Sequence, residues 1–476
     1  MTAKRPNVIV FFTDQQRHDT TGVHGCPLGL TPNFDRLARA GTDVHYSFTC
    51  QPVCGPARAC LQTGTHASTH GTYRNGIGLT RDLPHLADQF RSAGYDTGYF
   101  GKWHLGDDPQ LKGPVPEDQR GGYEHWLAAQ ALEHTSDSYH TRLWDAESRP
   151  ADLPGYRVDA LTDALIRDVH DHVRGASGRP FFYFTSYLEP HHQNHVDGYP
   201  PPVGTRTQYV GRWCPPDLAA LPTHHTALHR PSTVTGGSAA GHLGGYFSMV
   251  KRLDEALGRL IDALHSLDIL EDTVILFTSD HACHFKTRNA EYEYKRSGHE
   301  SSIRVPTMLY GGPFTGGGRL DQLVSLVDLP ATLLDAAGID PPPTFEGRSL
   351  LQLVRRDARA VAAWPDDMYV QISEDHWGRA IRTRRWKYIV REPEDKTQHH
   401  GTSEVYCEAE LYDLLHDPHE LVNLIAFDSH TPVRAAMRQR LTHRLAQLNE
   451  PPARIIQIDT HRQSGQLRVP EDQVNH

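Results

Sequence analysis

The segment "QPVCGPARACLQTG", residues 51–64, sets a cysteine, a proline and an arginine at alternate positions and closes on a Thr-Gly pair. Thr63-Gly64 reads as a helix stop, which places Cys54 beside a helix N-terminus. Free backbone N–H groups and the helix dipole make such a place electropositive, so a thiolate there is stabilised and reactive. Taken alone, Cys54 reads more readily as a core residue, because free cysteines are commonly buried. Four polar clusters change that balance: Asp14-Gln15, Lys102-Trp103-His104, His191-His192 and Asp280-His281, each closing an apolar run. Carboxylates at two strand ends form a divalent-cation pattern, since hard oxygen donors suit such ions.

The apolar runs are the elements that must bring these clusters together. "NVIVFF" at 7–12, "YDTGYF", "PFFYFTSYL", "TVILFTSD" and "PTMLY" are continuous and β-prone, as in strands buried on both faces. Helical patterns lie between them, at 31–41, at 82–94 and in "YRVDALTDALIRDVHDHV" and "GYFSMVKRLDEALGRLIDAL". The alternation predicts an α/β fold, a mostly parallel central sheet with helices on both faces. In such sheets the site lies beyond the carboxyl ends of the strands, where the four clusters fall.

Residues 189–239, rich in Pro, His, Gly and Thr, read as a long loop over that site. "PPPTFEGRSLLQLVRR" at 341–356 marks a boundary, giving a catalytic domain at 1–356 and a smaller one at 357–476. The second has short strands and a helix from Pro432 to Asn449, which predicts a small antiparallel sheet with one helix. Its Arg379, Arg382, Arg384, Arg385 and Trp377 are expected to shape the substrate pocket.

Length and charge narrow the functional classes. A chain of 476 residues exceeds one typical core. A net charge of -10 argues against nucleic acid or an anionic membrane as the main partner. The seven cysteines lack C-x-x-C spacing, so neither a disulfide framework nor a zinc ribbon is indicated. No stretch approaches a membrane span or a signal h-region, so the cytoplasm is expected if Met1 is the natural start.

"CGPARACLQTG" resembles the signature of the type I sulfatases, of the alkaline phosphatase-like superfamily, in which C-x-P-[SA]-R precedes a Thr-Gly. The resemblance continues in "PNVIVFFTDQQ", "GYDTGYFGKWHLG", "TSDH", "KRSGHESSIRVP", "VDLPATLLDAAG" and "ELYDLLHDPHELVNL", in the family's order. It implies a sulfatase that cleaves a sulfate ester to alcohol and inorganic sulfate. A sulfated saccharide is expected as substrate, from the basic and aromatic residues of the second domain.

A sulfate ester is a stable anion, and its hydrolysis needs a strong nucleophile, neutralised oxygens and an acid for the leaving alcohol. In the family the signature cysteine is oxidised by a formylglycine-generating enzyme, and the hydrated aldehyde supplies two hydroxyls. One attacks sulfur; deprotonation of the other expels sulfate. By position, the resemblance makes Cys54 the formylglycine precursor and Arg58 the group holding its hydroxyls. It gives sulfate contacts to Lys102, His104 and Lys295, and the leaving-group acid to His191, with His192 and His195 close by. Asp14, Gln15, Asp280 and His281 would hold a divalent cation, calcium foremost, with magnesium, manganese and zinc open.

Gln15 and His281 depart from the family's usual Asp and Asn, and Ala282 and Thr65 are further departures. An Asp-His pair also occurs in relatives that cleave phosphonate monoesters and phosphodiesters, which is the alternative reading beside an arylsulfatase. An inactive carbohydrate-binding relative would need a broken site, and every expected polar position is filled.

Overall fold

The computed structural model describes residues 5–107, 112–175, 177–196, 198–221, 240–288, 294–374, 376–393 and 401–476. Ten strands build the main sheet: β1 (Asn7–Thr13), β2 (Thr42–Phe48), β3 (Asp96–Lys102), β4 (His125–Ala129), β5 (His140–Trp144), β6 (Pro150–Pro154), β7 (Phe181–Ser186), β8 (Thr273–Ser279), β9 (Met308–Tyr310) and β10 (Gly318–Ser325). Their order is β10-β2-β9-β8-β1-β7-β3-β4-β5-β6. The centre is parallel: β1 pairs with β7 and β8, and β3 with β4 and β7. Antiparallel pairing enters where β9 lies between β2 and β8, and in the edge strands β5 and β6.

Both faces are covered, which explains why the central strands are unbroken apolar runs. Val8, Val10, Phe12, Phe182 and Phe184 pack on one side with Leu61, Phe90 and Leu333. These last three come from helices Cys54–Thr63, Leu86–Ser92 and Asp328–Ala336. On the other side Ile9, Phe11, Tyr183 and Phe277 meet Phe34, Leu161 and Leu257. Those belong to helices Pro32–Ala40, Arg157–Arg174 and Ala240–Ser266. Removing any one of these buried side chains removes roughly 1.5–3 kcal/mol of burial energy, before any cavity is counted.

A second sheet follows: β11 (Asp367–Ile372), β12 (Gly378–Thr383), β13 (Trp386–Arg391), β14 (Val405–Asp413) and β15 (Arg454–Ile456), in that order. It is antiparallel except for the short β14–β15 pair, which is parallel. One face carries helix Thr431–Gln447, whose Val433, Met437 and Leu441 pack on Ile381, Trp386 and Tyr388. The other face sets Val370, Ile372 and Ile389 against Phe48, Ile303 and Leu323 of the main unit.

The arginines expected at the pocket lie elsewhere. Arg379 pairs with Glu450 at 2.9 Å, Arg382 with Glu300 at 3.0 Å and Arg385 with Asp413 at 2.8 Å, all buried. Arg384 donates to the Asp321 carbonyl, and Trp377 is buried in the core of the second sheet. Composition cannot separate a basic pocket from buried ion pairs, because both bring arginine and aromatics together. Of the predicted loop, the described residues of 189–221 carry the single-turn 3-10 helices Asn194–Val196 and Arg206–Gln208 and the helix Pro216–Ala220, and 222–239 lies outside the described residues. No helix among the described residues is long and apolar enough to cross a membrane.

Candidate active site

Cys54 is the first residue of helix Cys54–Thr63, and Gly64 ends it in a left-handed conformation at φ 64°. The cysteine is 1 % exposed, and four side chains from other elements converge on its sulfur. Lys295 Nζ donates to Sγ at 3.0 Å; His281 Nε2 lies at 3.3 Å, Asp14 Oδ1 at 3.7 Å and His191 Nε2 at 3.9 Å. Burial opposes ionisation of this thiol, yet Lys102, Lys295 and His281 outweigh it and hold the thiol well below its ordinary value.

Asp14 and Asp280 follow β1 and β8, which lie side by side. Asp14 Oδ2 accepts from Arg58 at 2.9 Å and from Lys102 Nζ at 2.8 Å; Asp280 Oδ2 accepts from Arg58 at 3.3 Å. Asp14, Cys54, Asp280 and His281 each present one donor atom within 4.8 Å of the others. Burial, and then the neighbouring Asp14, push Asp280 up to about 7. Against burial and Cys54, Lys102, His191 and Arg58 hold Asp14 below its ordinary value, so it is Asp280 that is short of positive charge, the electrostatic condition a cation relieves.

Gln15 is held beside this group with a left-handed backbone, φ 67°. Its N–H donates to Asp280 Oδ1 at 3.0 Å, and its Oε1 accepts the His192 N–H at 3.1 Å with a second lone pair remaining.

Arg58 spans the base of the site, donating to Ser186 Oγ at 2.6 Å and to the Lys102 carbonyl at 2.8 Å. This close crossing of β3 and β7 depends on Gly101, at φ 106°, where a Cβ would lie 2.0 Å from the Ser186 carbonyl oxygen. Lys102 bridges Asp14 and Glu133, donating to Glu133 Oε1 at 2.8 Å. Burial opposes its charge, but Asp14, Cys54 and Glu133 raise Lys102 above its ordinary range. Trp103 is buried against Tyr99 and Trp126 and anchors both neighbours. His104 follows at φ 61°, its buried ring beside Cys54, whose thiol it helps to lower, and neither ring nitrogen has a well-formed hydrogen bond among the described residues.

His191 Nδ1 donates to the His192 carbonyl at 2.6 Å, which leaves Nε2 facing Cys54 and 3.2 Å from Lys295 Nζ. His192 turns away, its ring packed on Tyr199, and the His195 side chain lies outside the described residues. The structure therefore brings together Cys54, Arg58, Lys102, His191, Lys295, Asp14, Asp280 and His281, with Gln15 and His104 adjoining.

Sequence reasoning missed three contributors. Glu133 sits on the short helix Leu132–Thr135, Ser186 ends β7, and Asn75 Oδ1 accepts the Gly55 N–H at 2.9 Å. Ser186 alone carried a signal, as the last residue of a strand run. A second cluster, His24, Asp43 and His45, has metal-like spacing but no fit to a cation. Arg304 donates to His45 Nε2 at 3.2 Å, which occupies that lone pair and sets a guanidinium beside the cluster.

The sequence profile of the sulfatase family matches residues 6–339, and that of the N-sulphoglucosamine sulphohydrolase C-terminal region matches 290–447. The chain belongs to the sulfatase family. As a sulfatase it is a sulfuric ester hydrolase. An uncharacterised sulfatase, YidJ of Escherichia coli K12, is 29 % identical over 94 % of this chain and 88 % of its own length. A protein solved in complex with its substrate, D-glucosamine-2-N,6-O-disulfate, superposes with a TM-score of 0.77 at 22 % identity, covering 94 % of this sulfatase and 99 % of that chain. The phosphonate monoester hydrolase of Agrobacterium radiobacter superposes at 0.65 and 24 % identity, covering 93 % and 96 %.

Proposed function

We propose that this sulfatase hydrolyses the sulfate ester of a small saccharide, with Cys54 matured to formylglycine and a divalent cation held by Asp14, Gln15, Asp280 and His281. The observation that carries the reading is the convergence of Lys295, His281, Asp14 and His191 on Cys54 Sγ, within 3.0–3.9 Å. The thiol sulfur stands where the oxygens of a hydrated aldehyde would lie, among the donors that a cation would share. A cation there would polarise sulfate oxygens and favour an ionised nucleophile. The nitrogen donor of His281 favours manganese or zinc over calcium, which takes oxygen ligands.

The other side chains have roles set by their partners. Arg58, fixed by Asp14, Asp280 and Ser186, holds the nucleophile at the helix N-terminus. Lys102 and Lys295 bind sulfate oxygens from opposite sides, and charge-assisted hydrogen bonds of this kind are the strong ones. His191 presents Nε2 to the leaving oxygen, with its Nδ1 proton committed to a carbonyl. His104, whose ring lies beside Cys54, takes the proton that accompanies sulfate release. Residues 1–356 form the catalytic domain and 357–476 a smaller domain packed on it.

The saccharide assignment is supported by the glucosamine disulfate carried by one structural neighbour. His281 and Gln15 favour a second reading, a phosphonate monoester or phosphodiester hydrolase. One experiment tests both. Protein co-expressed with a formylglycine-generating enzyme is examined by peptide mass spectrometry, then assayed on sulfated mono- and disaccharides, an aryl sulfate and a phosphonate ester. Formylglycine at position 54 with saccharide sulfate release is expected. An unmodified thiol in active protein overturns the nucleophile, and preference for the phosphonate overturns the substrate.

A further inference from the structure

Hydrolysis of a sulfate ester changes the charge in the pocket. The ester R–OSO3⁻ carries one negative charge; with water it yields the alcohol, a proton and sulfate, which carries two. A pocket that binds the first by positive charge alone binds the second more tightly, and product would then hold the enzyme.

The anion pocket contains a feature that opposes this. Beside the cations Arg58, Lys102 and Lys295 and the carboxylates Asp14 and Asp280 stands a third carboxylate, Glu133, 4 % exposed. Its Oε1 holds Lys102 Nζ at 2.8 Å, and its Oε2 is buried with no hydrogen-bond partner among the described residues. The segment carrying Glu133 is pinned by Gln193 Nε2, which donates to the Glu133 carbonyl at 2.9 Å. Leaving that oxygen unsatisfied in the interior is costly, so Glu133 brings more negative charge to this space than its bond to Lys102 takes up.

We propose that Glu133 is a specificity-determining residue, a fixed negative charge that sets the pocket for singly charged esters and against doubly charged anions. Coulomb energy is proportional to the ligand's charge, so Glu133 penalises a dianion twice as strongly as a monoanion. Free sulfate is thereby released, and phosphate monoesters, dianions at neutral pH, are rejected. The inference rests on the sulfate-pocket reading given above.

The test measures binding, with methyl sulfate as the monoanion and inorganic sulfate as the dianion, titrated calorimetrically into protein of fixed metal content carrying Cys54→Ala. Glu133→Gln keeps the shape and the acceptor for Lys102 and removes only the charge. It is expected to tighten methyl sulfate about threefold and inorganic sulfate about tenfold, the doubled exponent of the doubled charge. In the mature enzyme the same change lowers the inhibition constant of sulfate more than the KM of the ester. Equal changes for both anions, or none, overturn the filter and leave Glu133 a support for Lys102. Should Glu133→Gln be unstable, the parent protein still decides: it must bind inorganic sulfate no more tightly than methyl sulfate. Binding of neither anion to the parent protein overturns the pocket reading itself, and the filter with it.

Discussion

His191 and His104 stand on different segments beside Cys54, and the tasks proposed for them separate by leaving group. Burial holds His191 below its ordinary imidazole value, with Lys295 and Lys102 adding to the effect against Asp14. It is therefore protonated only toward lower pH, and the acid form is lost as pH rises. Rates on sugar sulfates should fall with rising pH before rates on activated aryl sulfates, whose alcohols leave without a proton. His191→Ala should cost about a hundredfold or more on sugar sulfates and little on nitrophenyl sulfate. His104→Ala should slow every substrate to a common rate and let sulfated enzyme accumulate. A graded series of aryl sulfates with intact-mass detection checks both; uniform losses for His191→Ala would remove it from the acid role. Most of this group was legible because Asp14, Lys102, His191 and Asp280 each end a strand run. Glu133 was not, since its short helix follows β4, whose mixed sequence "HWLAA" gives no strand signal. The bond to Lys102 then spans 31 residues that no local pattern relates.

At the scale of elements, the helices are joined by side chains as well as by apolar faces. Asp254, on helix Ala240–Ser266, accepts the N–H groups of Asn33 and Phe34 at 3.1 and 2.8 Å, at the N-terminus of helix Pro32–Ala40. Burial, which these hydrogen bonds only partly offset, pushes Asp254 up from 3.8 to about 6. Between these values the native chain holds a proton that the unfolded chain has lost, so this group's contribution to stability falls as pH rises. Asp254→Asn removes that dependence. The stability difference, variant minus parent, should rise by about 1 kcal/mol from pH 5 to 7, read from urea unfolding. A difference independent of pH would show that Asp254 does not titrate in this range. The long helices were legible from their leucine spacing. The β5–β6 hairpin was not, because "PADLP" begins and ends on proline and alternates between exposed and half-buried residues.

Across the whole molecule the two sheets are locked by a buried ion network. Glu300 accepts from Arg382 at 3.0 Å and pairs with Lys387 at 2.9 Å, and Lys387 reaches Glu420 at 2.6 Å. Glu300 follows Lys295 by five positions, so the network also fixes the segment that delivers this lysine to Cys54. Glu300→Ala leaves the buried Arg382 without its carboxylate, while Lys387 keeps Glu420, and should cost about 3–5 kcal/mol in chemical unfolding. Residues 1–356 expressed alone would leave Glu300 unpaired and Phe48, Ile303 and Leu323 uncovered. That fragment should be insoluble or inactive, and a folded fragment with full sulfatase activity would refute the dependence. The smaller second sheet was legible from the short strand runs that follow the proline-rich segment. The ion network was not, as its members lie in segments that meet only in the folded chain.

Cys54 and Arg58 are 1 % and 2 % exposed. The proposed maturation needs access to the C-x-P-x-R segment, and in the folded protein that segment is a helix with every residue buried. The proposed maturation is therefore an event with a deadline: it must be complete before the sheet closes over the signature. Folded thiol protein given the generating enzyme should keep its thiol, whereas a synthetic peptide of residues 51–64 should be oxidised. On that reading a molecule folded unmodified should stay inactive until it is unfolded again, and the active fraction of a preparation should record a race between oxidation and folding.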